Sequence, residues 1–269
     1  MNRIATAGDI ATSFRTLPRF RLVQAVSVTE AVAALAAAVR PAVLAGGTDL
    51  PARFNEGFAP SVLVDVSAVS DLHRVHLAND CLVIGAAITH ENGATHPLVR
   101  QHLPGFGAAW SRIANVRLRM TATLGGNVMA RRTRYEGAIL LTALDARLRF
   151  MTADGELLMP VEDLWNAKLP PGALLTELLI PLRPGLRLDY DRSLRPIMTQ
   201  AVALDATGAG RIVTATEHAV PQLQPLLAGK PAGWQLHDKV FDDPITSDAY
   251  LNRIRRIIYD RQRARMEAA

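Results

Sequence analysis

The chain of 269 residues has one cysteine, Cys81. A single thiol excludes a disulfide framework, a thiolate zinc site and a self-contained iron–sulfur cluster, each of which needs several cysteines. Any cluster that serves this chain must sit on another one. Aromatics make up only 5% of the residues, and no basic run is interleaved with stacking side chains, so the net charge of +5 does not point to nucleic acid. It fits a surface that meets an acidic partner, or an ordinary basic surface. No apolar run is long enough to span a bilayer, and the first eighteen residues lack the apolar centre of a signal peptide, which makes a cytoplasmic protein the expectation. Neither G-x-G-x-x-G nor a P-loop occurs, which argues against a Rossmann or nucleotidase site. No carboxylate pair, triad or nucleophile is placed for bond breaking. With 49% hydrophobic and 20% charged residues, what remains is a globular chain able to bury a sizeable core in two or three compact units.

What the sequence does have is two glycine pairs. In Val43-Leu44-Ala45-Gly46-Gly47-Thr48-Asp49-Leu50 an apolar run ends in Gly-Gly and a hydroxyl residue where a helix could begin. Glycines accept backbone angles closed to other residues, so successive N–H groups can face one concavity and let a diphosphate approach the main chain. Thr48 adds a hydroxyl donor, and the next helix would turn its positive end to the anion. An ordinary tight turn has the same look. About eighty residues later comes Thr123-Leu124-Gly125-Gly126-Asn127. Two such loops could close on an extended dinucleotide from two sides.

Together the two stretches resemble the paired flavin loops of the FAD-binding (medium) subunit of molybdenum hydroxylases, the xanthine dehydrogenase and carbon monoxide dehydrogenase family. The likeness runs from about Phe20 to about Pro181. It implies an α+β fold: a two-part FAD-binding domain of the vanillyl-alcohol oxidase type, followed by a smaller C-terminal α+β domain. Read onto the chain, residues 1–18 form an N-terminal extension, 19–57 and 58–183 the two FAD-binding parts, and 184–269 a divergent C-terminal domain. The resemblance assigns FAD to Ala45, Gly46, Gly47, Thr48 and Asp49 in the first loop and to Thr123, Leu124, Gly125, Gly126 and Asn127 in the second. By register Ile113 falls where an apolar side chain lies near the isoalloxazine, and Leu175, in Leu174-Leu175-Thr176-Glu177-Leu178-Leu179-Ile180-Pro181, matches a leucine that packs on the ring. For both, plain core is the competing reading. Where the family has a FAD-binding Asp, nine residues beyond Asn127, this chain has Glu136, and Arg131, Arg132 and Arg134 replace the usual Ser-Pro stretch. Those arginines are either a solvated loop or face an anion.

The implied circuit puts a molybdenum cofactor on a large partner subunit and 2Fe–2S clusters on a small one. This chain's FAD would collect electrons and deliver them to an external acceptor. Three other readings remain: a self-sufficient flavin oxidase of the same fold, an NADPH-dependent cell-wall precursor reductase, and a non-catalytic scaffold whose flavin site has decayed.

Along the chain, Ser27 and Glu30 make a capping box for an alanine-rich helix with Val28, Val32, Leu35 and Val39 in one stripe. Strands are expected over 42–45, 61–66 and 174–181, hairpins over 75–84, 147–161 and 200–215, helices over 49–55, 104–114 and 137–146, and a last helix over 246–268 with Leu251, Ile254 and Ile258 on one side. His73 and His76, taken as three apart on a strand, would face opposite sides, and His90, His96 and His102 lack acidic or cysteine companions at ligand spacing, so no metal site is expected.

Overall fold

The computed structural model describes residues 17–193, 197–216, 220–227, 229–231 and 247–268. Nearly all of the expected N-terminal extension lies outside them.

The first layer is strand β1 (Arg21–Gln24), helix α1 (Val28–Ala36), β2 (Pro41–Leu44), α2 (Leu50–Asn55) and β3 (Val62–Asp65), with the strands parallel in the order β1-β3-β2. The central strand is buried through Val62, Leu63 and Val64, the continuous apolar run that a strand covered on both faces requires. Ser27 caps α1 by accepting the Glu30 N–H at 3.2 Å, while the Glu30 carboxylate accepts from Val26, one residue earlier than a capping box would have it. Val32 and Leu35 are buried as the stripe requires. Val39 is not part of it. The helix stops at Ala36, and Val39 is 94% exposed.

The second layer opens with the hairpin β4 (Val75–Ala78) and β5 (Cys81–Gly85). Its two-residue turn, Asn79-Asp80, has positive φ at both positions (48° and 57°), the tight turn whose twist matches paired strands. His73 lies in a 3-10 turn, Ser70–His73, not on a strand, so its separation from His76 has a different cause from the one expected. Six short helices follow: α3 (His90–Thr95), α4 (Pro97–His102), α5 (Pro104–Trp110), α6 (Val116–Arg119), α7 (Leu124–Met129) and α8 (Glu136–Ala143). Then come β6 (Arg147–Thr152), β7 (Gly155–Pro160) and β8 (Leu174–Pro181), giving an antiparallel sheet in the order β4-β5-β8-β6-β7. Helix α8 is buried from Gly137 through Ala143 and has no polar face, which suits the centre of a core and not its surface.

The last unit is an antiparallel sheet of β9 (Arg187–Arg192), β10 (Met198–Leu204), β11 (Gly210–Thr216), β12 (Gln222–Leu227) and β13 (Lys230–Pro231), with α9 (Asp248–Ala268) packed on β9 and β10. One hydrophobic core runs from Leu82 and Ile84 through Ile139 and Leu140 to Ala201 and Val213, joining this sheet to the middle layer. Leu251 and Ile258 of α9 are buried as expected. So are Arg255 and Gln262, which the apolar side of the helix did not include: Gln262 exchanges hydrogen bonds with Gln200, and Arg255 donates to Gln224. Among the described residues no helix is long and apolar enough to cross a membrane.

Candidate functional site

A cavity of about 820 Å³ opens between the parallel sheet and the short helices. Twelve of the thirteen candidate residues line it: Ala45, Gly46, Gly47, Thr48, Asp49, Ile113, Thr123, Gly125, Gly126, Asn127, Glu136 and Leu175. Leu124 is the exception. It points into the core, fully buried, because its place in the first turn of α7 carries it away from the opening.

The two glycine pairs are not equivalent. In the β2–α2 loop Gly47 has φ +66°, and among the described residues the backbone N–H groups of Gly46, Gly47, Thr48 and Asp49 find no acceptor. Half-buried N–H groups are almost always paired, so those of Gly46, Gly47 and Asp49, with the exposed Thr48 among them along a cavity wall, suit a ligand with oxygens to give. The second pair forms no loop. Gly125 and Gly126 lie in the first turn of α7, neither has a positive φ, and the N–H groups there are taken: Leu124 by Ile88 O, Gly125 by Ala86 O at 2.9 Å, and Gly126 by the Thr123 hydroxyl at 3.0 Å. What Gly125 supplies is room. A Cβ on it would lie 2.5 Å from Ala86 O.

Gly46 is fixed by the same logic, since a Cβ there would sit 2.1 Å from Thr121 O. The first loop thus touches the backbone of the segment that leads into α7. A clasp holds the other side: Arg132 Nε is 2.6 Å from Asp49 Oδ1, Tyr135 OH donates to the same oxygen at 2.9 Å, and Arg132 also reaches Glu56. Asp49 is therefore tied to the protein. The three arginines do not act together: Arg131 donates to Ala167 O, Arg132 makes the clasp, and only Arg134 lines the cavity. Asn127, though it lines the cavity, is likewise tied to the protein, its Oδ1 accepting the Gly137 N–H at 3.0 Å to join α7 to α8.

Four groups in or beside the cavity escaped the sequence reading: Tyr190 and Arg192, which flank the candidate Glu136, then Arg119 and His90. Glu136, at the start of α8, has its carboxyl pKa raised by burial, partly offset by Arg192 at 3.9 Å and Tyr190 OH at 3.4 Å. Tyr190 and Arg192 are two apart on β9 and so share a face; that spacing was visible, but not what lay opposite. Arg119 braces the Ile113-Ala114 turn, where Ala114 has φ 54°, by donating to both carbonyls while paired with Glu91.

His90 is the fourth. It follows Thr89, which bridges to Thr123, and it lines the cavity while only 1% exposed. The Trp110 indole N–H donates to its Nδ1 at 2.7 Å, and burial, with Arg119 adding to it, pushes the pKa down from 6.5 to about 4. A folded-state pKa below the unfolded one gives stability that is present above pH 6.5 and lost as pH falls toward 4. The slope is about 1.4 kcal/mol per pH unit, or about 3 kcal/mol in all. Glu136 acts in the opposite sense, because its raised pKa favours proton uptake by the folded state. Urea midpoints measured stepwise from pH 7 to pH 4 will fall in the wild type and fall less in His90→Gln; equal slopes would contradict this origin of acid sensitivity.

Residues 18–183 match the family described as FAD binding domain in molybdopterin dehydrogenase. The chain is 25% identical over 243 residues to the nicotinate dehydrogenase FAD-subunit of Eubacterium barkeri, covering 84% of this chain and 81% of that one. It is 30% identical over 207 residues to the 6-hydroxypseudooxynicotine dehydrogenase complex subunit alpha of Paenarthrobacter nicotinovorans, covering 74% and 69%. Among solved structures, a chain of the carbon monoxide dehydrogenase from Hydrogenophaga pseudoflava superposes with a TM-score of 0.80 at 21% identity, over 94% of this chain and 99% of that one, which is a shared fold.

Proposed function

We propose, from the premise that this chain belongs to the family of FAD binding domains in molybdopterin dehydrogenases, that it is the FAD-carrying electron-transfer subunit of a cytoplasmic molybdenum hydroxylase complex. The observation that carries the reading is the run of acceptor-free N–H groups from Gly46 to Asp49 along a cavity of about 820 Å³, a size within the usual range for cofactor pockets. These N–H groups and the Thr48 hydroxyl hold the diphosphate. Gly125 lets the first turn of α7 pack on the Ala86 backbone at the cavity wall, Ile113, Leu174 and Leu175 supply apolar walls that exclude water, and Glu136 offers a carboxyl for a ligand hydroxyl. Bound FAD supplies the redox chemistry, exchanging electrons singly or in pairs, so the protein's part is position and electrostatics.

The partners are those the family resemblance implies, and the single cysteine agrees with them. With Cys81 alone it has no thiolates for clusters, and electrons would arrive from 2Fe–2S clusters on a small subunit, after a large subunit bearing the molybdenum cofactor has oxidised the substrate. An external acceptor would take them from the flavin. Support for a decayed scaffold is weak when twelve candidate residues line one cavity.

The purified chain is expected to bind one FAD without a covalent link and to oxidise no substrate unaided. Co-expression with its partners is expected to yield a complex that holds molybdenum and iron as well as flavin. Protein that takes up no FAD would refute the first part; steady substrate turnover by the single chain would refute the second and favour a self-sufficient oxidase.

A further inference from the structure

We propose that His90 is a neutral hydrogen-bond donor, locked in one tautomer, to an uncharged acceptor on the flavin ring system. This rests on the FAD reading above and goes beyond it.

The tautomer follows from the partner. An indole N–H can only donate, so the bond from Trp110 at 2.7 Å requires His90 Nδ1 to be unprotonated, which puts the one hydrogen of the neutral ring on Nε2. Nε2 has no hydrogen-bond partner among the described residues, and His90 lines the cavity. The fold holds the arrangement firmly. Trp110 is fully buried and stacks on Phe106 at 5.1 Å, and a Cβ on Gly93 would lie 1.9 Å from the indole ring, so position 93 must be glycine for the indole to reach His90.

The neutral state follows from the surroundings. A second proton would have to displace the Trp110 bond from Nδ1, in a buried site that faces the positive charge of Arg119 on α6, with Glu91 beside His90 already paired to that arginine. Burial and this charge both act against the cation. A phosphate is best met by a cation or by converging backbone dipoles, and those lie in the first loop and at Arg134. A fixed, uncharged N–H among Ala86, Ala87, Ile113 and Ala122 suits the carbonyl oxygens and ring nitrogens of a flat, largely apolar ring.

Nitrogen NMR of the full-length chain labelled in histidine tests this, with His90 assigned by its disappearance in His90→Gln. The expected spectrum has Nε2 protonated and Nδ1 bare from pH 5 to pH 8, and the Nε2 proton moves when FAD or riboflavin is added but not when ADP is added. His90→Leu should weaken riboflavin binding about tenfold, the usual weight of one hydrogen bond, and leave ADP binding unchanged. Trp110→Phe should free Nδ1, so that the ring shows both tautomers in the nitrogen spectrum and riboflavin binding weakens. An Nδ1-protonated ring, titration near 6.5 in the wild type, or a shift produced by ADP would overturn the inference. If FAD binds one per chain while the His90 signal stays put, this inference fails alone; if no FAD binds, the functional reading fails and takes it along.

Discussion

Gly46→Val is expected to remove the flavin altogether, lowering FAD affinity by more than a hundredfold, and to destabilise the chain by about 3 kcal/mol or more. The cause is space, not backbone angle, since Gly46 is not among the residues with positive φ. Its Cβ would stand 2.1 Å from Thr121 O and 2.9 Å from Ala122 Cα. Both are backbone atoms that cannot swing aside, so the first loop must lift away from the segment that feeds α7, and the row of N–H groups from Gly46 to Asp49 moves with it. Neighbouring glycines grade the effect. Gly125→Ala meets Ala86 O at 2.5 Å and should lose most flavin, while Gly126→Ala meets only the Thr123 hydroxyl at 2.8 Å and should cost about 1 kcal/mol, the value of a disturbed N-cap. Flavin content by visible absorbance, read beside thermal melts, separates the three. Gly46→Val protein that keeps one FAD per chain at the wild-type affinity would disprove the assignment of this loop.

Much of the fold can be read from local pattern. The parallel unit is announced by Ser27, the alanine-rich helix and the apolar run of 62–64; the hairpins are announced by Asn79-Asp80 and by Asp154-Gly155, where short polar turns leave few backbone choices. The lining of the cavity is legible in large part, because a glycine pair after an apolar run marks a close approach of backbone whatever approaches. It is not legible in its division of labour. Whether an N–H is free or bonded depends on a strand elsewhere: the carbonyls of Ala86 and Ile88 occupy the second pair, and nothing near Gly125 in the sequence says so. That the Asp49 carboxylate is held by Arg132, 83 residues away, is equally invisible in the sequence. Tyr190 and Glu136 meet across 54 residues, and the buried Arg255 and Gln262 of α9 are explained only by Gln224 and Gln200 on facing strands. Contacts of this range come from tertiary packing, which periodicity does not encode.

The clasp at Asp49 leads to the second large effect. A carboxylate whose side chain is 18% exposed stands beside the loop that would receive a diphosphate, an unfavourable pairing of like charges unless a cation neutralises it. Arg132 does so at 2.6 Å, helped by Tyr135 at 2.9 Å, and Arg132 is itself outside the cavity lining. Arg132→Gln therefore leaves an uncompensated negative charge and a loosened loop, and FAD affinity should fall about thirtyfold, or about 2 kcal/mol, the range of a charged hydrogen bond in a half-buried place. Asp49→Asn alone should cost less, since it removes the repulsion along with the bond. The double variant Arg132→Gln/Asp49→Asn should then bind more tightly than Arg132→Gln, a coupling of about 1 kcal/mol that a double-mutant cycle measures directly. If Arg132 instead held the diphosphate itself, the double variant would be no better than the single one. Arg131→Gln, which loses only the bond to Ala167 O, should leave affinity unchanged and serves as the control for net charge. Strictly additive effects, or an Arg132→Gln protein that binds FAD like the wild type, would mean that the clasp is surface decoration; a loss that shrinks as salt rises would mean that the exposed carboxylate, not the loosened loop, is the larger part of it.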